Sequence, residues 1–502
     1  EARPQAQPPD GAGAASGVGV GNLSGIIEHL DHLQWLGIDA VWLSPIYVSP
    51  MADFGYDVSD FCDVDARFGS LTDVDELLIE AHARGIRVIL DWVPNHTSNQ
   101  HPWFVESRRD RTNPKANWYV WRDAPANNWM ASFPAGEPAW SFDEQRGQYY
   151  LRSFLREQPD LNWDEPDVEE AMLDTLRFWL DRGVDGFRMD VVHLIAKDID
   201  RDDPPRAVAR GHQHVTYNDV AAVHPRLRRI RAVLDSYPGE RVAVGEVYLL
   251  DEERMAEYYG AGDELHLNFN FAFLWAPFDA AVLRTRISST LSHLAPRGAW
   301  PTWVLSNHDV PRHRTRYGGS ERNARLAAVL LLTLPGTPFM YQGEELGLLD
   351  AVVPAEAAVD PGGRDGCRAP IPWDAEPLHG WSAEPWLPFP PESDVRNVAD
   401  ARADEDSIVH LYRRLLALRR STAALHLGGC DVLDDTGDLL AYTRYNDSSE
   451  RWVVAINISD GPLSAPAMIR GARVVVASDA TLEGSAVGQF IPAGVAVVAV
   501  AA

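Results

Sequence analysis

From Leu23 onward the chain alternates between two hydrophobic spacings. Leu23, Ile26, Ile27, Leu30 and Leu33 mark one face of a helix that ends at Gly37, and the run IDAVWLSP (38–45) after it reads as a strand covered on both faces. The pairing then recurs. A helix over 73–84 precedes IRVILDWVPNH (86–96), DVEEAMLDTLRFWLDRG (167–183) precedes VDGFRMDVVH (184–193), and a helix near 224–236 precedes RVAVGEVY (241–248). Helices near 251–259 and 277–294 precede ELHLNFNF (264–271) and WPTWVLSNHD (300–309). RNARLAAVLLLTLPG (322–336) precedes TPFMYQGEELG (337–347), and SIVHLYRRLLALRRS (407–421) closes the series. Repeated βα units with apolar strands predict an α/β fold with a parallel sheet, and eight of them a closed (β/α)8 TIM barrel. An open doubly wound sheet would carry a glycine-rich phosphate turn after an early strand, and none is present. The leading helix has no strand of its own, so the first barrel strand is predicted to be missing or degenerate, with either Gly17–Val20 as a short stand-in or a shortened barrel of reduced stability.

The remaining stretches divide the chain. Residues 1–22, rich in Ala, Gly and Pro, read as a flexible lead-in, and 23–96 with 167–423 as the barrel. Residues 97–166, dense in Trp, Tyr, Asn and Asp, are too long for a structureless connection and predict an inserted subdomain after strand 3. A second interruption, 348–405, is rich in Pro and Gly. Past 424 the helical period gives way to short alternating segments such as RWVVAINI (451–458) and ARVVVAS (472–478), which predict a C-terminal antiparallel β domain over 424–502.

Charge and composition narrow the class. The formal charge of −28 disfavours nucleic acid and other polyanions, and the basic side chains are nearly all Arg, with Lys only at Lys115 and Lys197. No run of about 18 apolar residues is present, so no membrane span is expected, and no basic stretch leads into an apolar one near the N-terminus. Cys62, Cys367 and Cys430 are widely spaced, make no metal pattern and cannot all pair, which favours a reducing, cytoplasmic setting.

Candidate chemistry sits at one end of the strands. They finish Asp91-Trp-Val-Pro-Asn95-His96, Arg188-Met-Asp190-Val-Val-His193, Glu246 within GEVY, and Asn307-His308-Asp309. Arg188 and Asp190, two residues apart, face the same side of their strand, and a neighbouring cation holds a carboxylate ionised. A lone pair of this kind is an ordinary ion pair. Three carboxylates, Asp190, Glu246 and Asp309, at the ends of separate strands are hard to explain by stability alone. With Arg, His and aromatic neighbours and no metal cluster, they suit glycosidic bond cleavage.

Several stretches carry a resemblance. DWVPNHTS (91–98), GFRMDVVH (186–193), GEVY (245–248) and SNHD (306–309) look like the four ordered signature regions of the α-amylase superfamily, glycoside hydrolase family thirteen, and QPDLNW (158–163) resembles its fifth. GYD (55–57) and GGRDGCRAPIPW (362–373) are similar to motifs of its α-glucosidase and oligo-1,6-glucosidase branch. The resemblance implies that Asp190 is the nucleophile, Glu246 the general acid/base and Asp309 the transition-state stabiliser. It places His96, Arg188 and His308 around the first sugar with Tyr56 stacked beneath it, and Asp53 and Arg364 at its non-reducing end. The implied activity is that of a retaining exo-α-glucosidase on small α-glucosides, with a transglucosylase or a sucrose- or trehalose-processing enzyme as the alternative and a non-catalytic relative as the third. Retention predicts Asp190 and Glu246 carboxyl groups about 5–5.5 Å apart. Val191 after the nucleophile resembles the α-1,6-preferring members. His193 and Arg312, beside signature residues, are read as packing, and Cys367 as unreactive. Many members bind calcium or magnesium in a loop near the N-terminus. In PDGAGAASGVGVGNLSG (9–25), Ala14, Ser16, Val18 and Asn22 stand where acids are expected, so no metal and no cofactor is expected.

Overall fold

Strand Ala40–Leu43 pairs in parallel with Arg87–Trp92, which pairs with Gly186–Met189, then Val242–Gly245, then Leu267–Asn268. A separate parallel pair is formed by Thr302–Val304 and Thr337–Phe339. The computed structural model describes residues 19–134, 136–204, 218–434, 436–446 and 450–500, and among these the barrel has seven strands, in blocks of five and two. The strands are short but buried along nearly their whole length in the block of five, because helices cover them outside and side chains fill them inside. Trp42, Ile89, Val244, Phe269, Phe271 and Val304 make up that filling. Gly186 is required by close packing, since a Cβ there would lie 2.3 Å from the Val242 carbonyl oxygen.

The helices run Leu23–Leu36, Leu71–Ala83, Pro166–Asp181, Val223–Asp235, Ala280–Leu294, Glu321–Thr333 and Ile408–Ser421. Their ends follow local chemistry. Ser70 and Asp73 form a reciprocal capping box, and Gly37 closes its helix in the left-handed conformation, φ 98°.

Three features depart from the sequence pattern. The stretch 264–271 yields only a two-residue strand, because Asn270 accepts a hydrogen bond from the Phe273 N–H and starts a helical turn, Phe271–Leu274. A hairpin of Tyr47–Val48 and Asp60–Val64 follows the strand Ala40–Leu43, and nothing in the apolar spacing had indicated it. Of the stand-in Gly17–Val20, only Gly19 and Val20 are described, and Gly19 bridges Pro385, so neither joins a barrel strand. Between Ala40–Leu43 and Thr337–Phe339 lies a cavity of ≈ 870 Å³.

Within 97–166 a three-stranded antiparallel sheet places Gln148–Leu151 between Trp121–Arg122 and Trp140–Asp143. The stretch 348–405 holds one short helix, Val398–Ala403, and a 3-10 turn, Asp365–Arg368. The C-terminal region is a five-stranded antiparallel sheet in the order Gly429–Val432, Leu439–Tyr445, Arg451–Asn457, Ala496–Val500, Arg473–Ala477. Its Leu440, Tyr442, Val454 and Ile456 share a core with the last two barrel helices. No helix among the described residues is long and apolar enough to cross a membrane.

Candidate active site

Register builds the centre of the site. Asp91 and Arg188 are opposite each other on adjacent strands. Arg188 lies fully inside and its fork is shared by three carboxylates. Nη1 donates to Asp91 Oδ1 at 2.8 Å and to Asp190 Oδ1 at 2.7 Å, while Nη2 donates to Glu246 Oε2. The planar guanidinium also lies over the rings of Trp42 and Tyr56, at 5.1 and 5.6 Å. Asp190 and Glu246 thus share one guanidinium, each on a different arm.

From the sequence, Arg188 holds Asp190 ionised. Burial outweighs it. The Asp190 carboxyl is pushed well above the ordinary value by burial; Arg188 opposes this, and the charges of Glu246 and Asp91 reinforce it. Burial likewise raises Asp91 to about 6 against the pull of Arg188. One cation among three buried carboxylates is too little compensation. A function that needs Asp190 ionised therefore has an acid limb of kcat/KM displaced upward from the ordinary carboxylate range. A pH profile of kcat/KM checks this; full activity down to pH 4 would contradict it.

Asp309 sits in the opposite environment. Arg364 Nη1 donates to its Oδ1 at 2.8 Å and Arg368 Nη2 at 3.3 Å, and His308 Nε2 lies 3.2 Å from its Oδ2. Burial would raise its pKa, but His308, Arg364, Arg368 and Arg188 hold it far below the usual carboxylate range. Its side chain is 29% exposed, against 9% for Asp190 and 10% for Glu246, so the site opens on the Asp309 side.

The hairpin loop and the insertions supply the rest. Asp57 gathers the loop by accepting from the N–H groups of Ala52 and Asp53 and from the Ser49 hydroxyl. This presents Asp53 to Arg364 Nη2 at 2.9 Å and Tyr56 Oη to Asp91 Oδ2 at 2.9 Å. Tyr56 stacks on His308 with ring centroids 5.5 Å apart and shares a 2.7 Å hydrogen bond with its Nε2. His96 Nε2 is 3.1 Å from the Tyr56 carbonyl oxygen, and burial lowers its pKa to about 4, so the ring is neutral.

All nine candidate residues thus belong to one hydrogen-bonded network at the C-terminal ends of the strands. Asp91, Gln158, Asp360 and Arg368 join them without having been singled out. Gln158 Nε2 bridges Asp53 Oδ2 and His96 Nε2, each at 3.1 Å. Asp360 binds Arg364 through Nε and Nη2 and reaches Arg368 Nη1 at 3.3 Å, which aligns both guanidiniums toward Asp309. The spacing Asp360, Arg364, Arg368, four residues each, was the available signal. His193 contacts the Glu246 carbonyl, and Arg312 lies over Tyr341 and donates to the Gln342 carbonyl; both support the site from outside it. Lys197, buried, donates to Asn95 Oδ1 and the Leu194 carbonyl, and lies 3.3 Å from Asp160. Cys367 is buried with a thiol pushed up to about 12, chiefly by burial, which leaves it unreactive at neutral pH.

Comparison with known proteins finds relatives along most of the chain. A family model described as the alpha amylase catalytic domain matches residues 9–428. A probable alpha-glucosidase of Rhizobium meliloti is 42% identical over 483 residues, covering 89% of this chain and 86% of that protein. An oligo-1,6-glucosidase of Heyndrickxia coagulans is 37% identical, covering 89% and 90%. Among solved structures, the alpha-glucosyl transfer enzyme XgtA superposes with a TM-score of 0.89 at 39% identity, over 97% of this chain and 96% of that one. The trehalulose synthase MutB of Pseudomonas mesoacidophila MX-45 gives 0.90 at 30% identity, over 97% and 96%.

Proposed function

Because the chain belongs to the α-amylase family of glycoside hydrolases, we propose that it is a retaining, exo-acting α-glucosidase that removes terminal glucose from short α-linked oligosaccharides. The observation that carries this reading is the shared guanidinium of Arg188, which draws Asp190 and Glu246 together. Inverting enzymes hold their carboxyls about 6.5–9.5 Å apart to admit a water, whereas retaining ones keep them close. Asp190 attacks the anomeric carbon as the glycosidic C–O bond breaks, and Glu246 gives its proton to the departing oxygen. Glu246 then takes a proton from water, which attacks the same carbon, frees Asp190 and releases glucose in the α configuration. Asp309, held ionised by its two arginines, stabilises the positive charge that develops on the sugar ring. The clasp of Asp53 and Arg364 across the far side favours a single terminal sugar over an internal chain segment.

Val191 sits directly after the nucleophile with φ 35°, a left-handed conformation that strains a β-branched residue, and its N–H reaches Glu246 Oε2 at 3.2 Å. Its resemblance to α-1,6-preferring relatives leads us to favour isomaltose-type linkages. The N-terminal metal of many family members has no role here. The loop 10–24 has no carboxylate after Asp10, its residues through 18 lie outside the described ones, and Asn22 Oδ1 is engaged by the Gly25 N–H. Free thiols at all three cysteines fit a cytoplasmic setting.

The test is a hydrolysis screen over maltose, isomaltose, sucrose, trehalose and starch, with the product anomer followed by NMR. We expect α-glucose from the short α-glucosides, little from starch, and a higher rate on isomaltose than on maltose that falls in Val191→Thr. Release of β-glucose, or no hydrolysis of any disaccharide, would reject the reading. A second reading is favoured by the likeness to an alpha-glucosyl transfer enzyme and a trehalulose synthase: a second sugar, rather than water, resolves the intermediate. Products larger than, or isomeric with, a concentrated disaccharide substrate would mark it.

A further inference from the structure

Among the described residues, which include all 17 tryptophans of the chain, Trp275 alone is exposed, at 44%; every other tryptophan is buried or half-buried. A single exposed apolar side chain is ordinary, but a ring of this size left in water beside a cluster of carboxylates is not accounted for by packing.

The strands set its place. Leu267–Asn268 pairs with Val242–Gly245, which in turn pairs with Gly186–Met189. The order around the mouth is therefore Arg188 and Asp190, then Glu246, then the helical turn Phe271–Leu274 with Trp275 at its end. In the reaction proposed above Glu246 meets the departing oxygen, so the element that follows it around the barrel is placed for the leaving sugar.

Two sets of contacts hold the ring there. Tyr248, two residues after Glu246, packs on Phe271 with ring centroids 4.6 Å apart. Its hydroxyl is hydrogen-bonded to Trp275 and lies within the fields of Glu246 and Asp309. Arg316 lies over the Trp275 ring at 6.0 Å, and its Nη1 donates to the Leu274 carbonyl at 3.0 Å. The same guanidinium donates through Nε to the Pro311 carbonyl at 3.0 Å and through Nη2 to the Leu305 carbonyl. It thus ties the turn before Trp275 to the chain on both sides of Asp309. A pyranose is polar around its rim and apolar where its C–H groups point from a face. An indole anchored in this way covers such a face without having to be ordered first, and a water molecule gains nothing comparable from it.

We propose that Trp275 is a specificity-determining residue for the second sugar: the pyranose ring that leaves the first glucose, or arrives to take it, stacks on the exposed indole. The inference rests on the glucosidase reading and names the residue that selects the second reactant. In the transfer direction a hydroxyl oxygen of the stacked sugar attacks the anomeric carbon, its proton passes to Glu246, and the ester bond to Asp190 breaks, leaving Asp190 a carboxylate. Trp275 favours a sugar over water at that point and so shifts the outcome from hydrolysis toward transfer.

The test compares the wild-type chain with Trp275→Ala and Trp275→Phe on isomaltose, maltose and α-glucosyl fluoride, whose leaving group carries no ring. In Trp275→Ala the ratio of kcat/KM on the better disaccharide to that on the fluoride should fall about tenfold, chiefly through KM, and Trp275→Phe should recover most of it. The fraction of glucosyl groups transferred to sugar at one high disaccharide concentration should fall in the same order. An unchanged ratio would overturn the proposal, since it marks a ring that meets no sugar. So would an equal loss on all three substrates, which marks a ring that only supports the fold. A wild-type chain that turns over neither the disaccharides nor the fluoride would reject the glucosidase reading itself, and this inference with it.

Discussion

Asp190→Asn is expected to leave a folded protein whose kcat/KM on its best disaccharide falls by about four orders of magnitude or more. The amide has the shape of the carboxyl but cannot form a glycosyl ester, so the first chemical step is lost. The fold has no reason to follow it. Arg188 keeps Asp91 and Glu246 as partners, and replacing Asp190 by a neutral group removes one of three crowded negative charges. The unfolding midpoint should therefore stay level or rise. Kinetics and urea unfolding on the same preparation decide the matter. Retention of even about a tenth of the turnover would assign the nucleophile elsewhere.

Arg188 predicts the converse pattern. Arg188→Ala strips the guanidinium from three buried carboxylates at once, and leaving such charges unpaired costs about 3–5 kcal/mol. Activity and stability should fall together. Arg188→Lys separates the two effects, because it keeps the charge on a single nitrogen that cannot serve Asp190 and Glu246 from opposite arms of a fork. Its stability should lie between wild type and Arg188→Ala, while kcat drops about 10²-fold through misplacement of the two carboxyls. An Arg188→Ala protein as stable as wild type would mean that the network is not what holds the strand ends together.

The sequence was most legible where one residue carries its own signal. Most barrel strands announce themselves by an apolar run, and their ends by the polar residue that breaks it, so Asp190, Glu246 and Asp309 could be placed at one mouth. The helices read over 73–84 and 322–336 fall on Leu71–Ala83 and Glu321–Thr333, whose starts are set by the Ser70 and Ser320 caps that apolar spacing does not register. Legibility failed where partners come from distant segments. Gln158 meets Asp53 and His96 only because the inserted subdomain folds back on the barrel. Asp91 was visible as a strand end, yet its pairing with Arg188 depends on register between strands nearly a hundred residues apart. Charge balance was misjudged for the same reason: the sequence pairs Arg188 with one Asp, and the fold assigns it three carboxylates.

One consequence of that imbalance reaches the bench. Asp53, Asp91, Asp190, Glu246, Asp309 and Asp360 face Arg188, Arg364 and Arg368, so the site keeps an excess of negative charge even with a carboxyl or two protonated. A neutral sugar does not exploit that excess, but a small hydroxylated ammonium ion does. Amine buffers such as Tris are therefore expected to inhibit at this site, and rates measured at one pH in phosphate and in Tris check it: equal rates would contradict it.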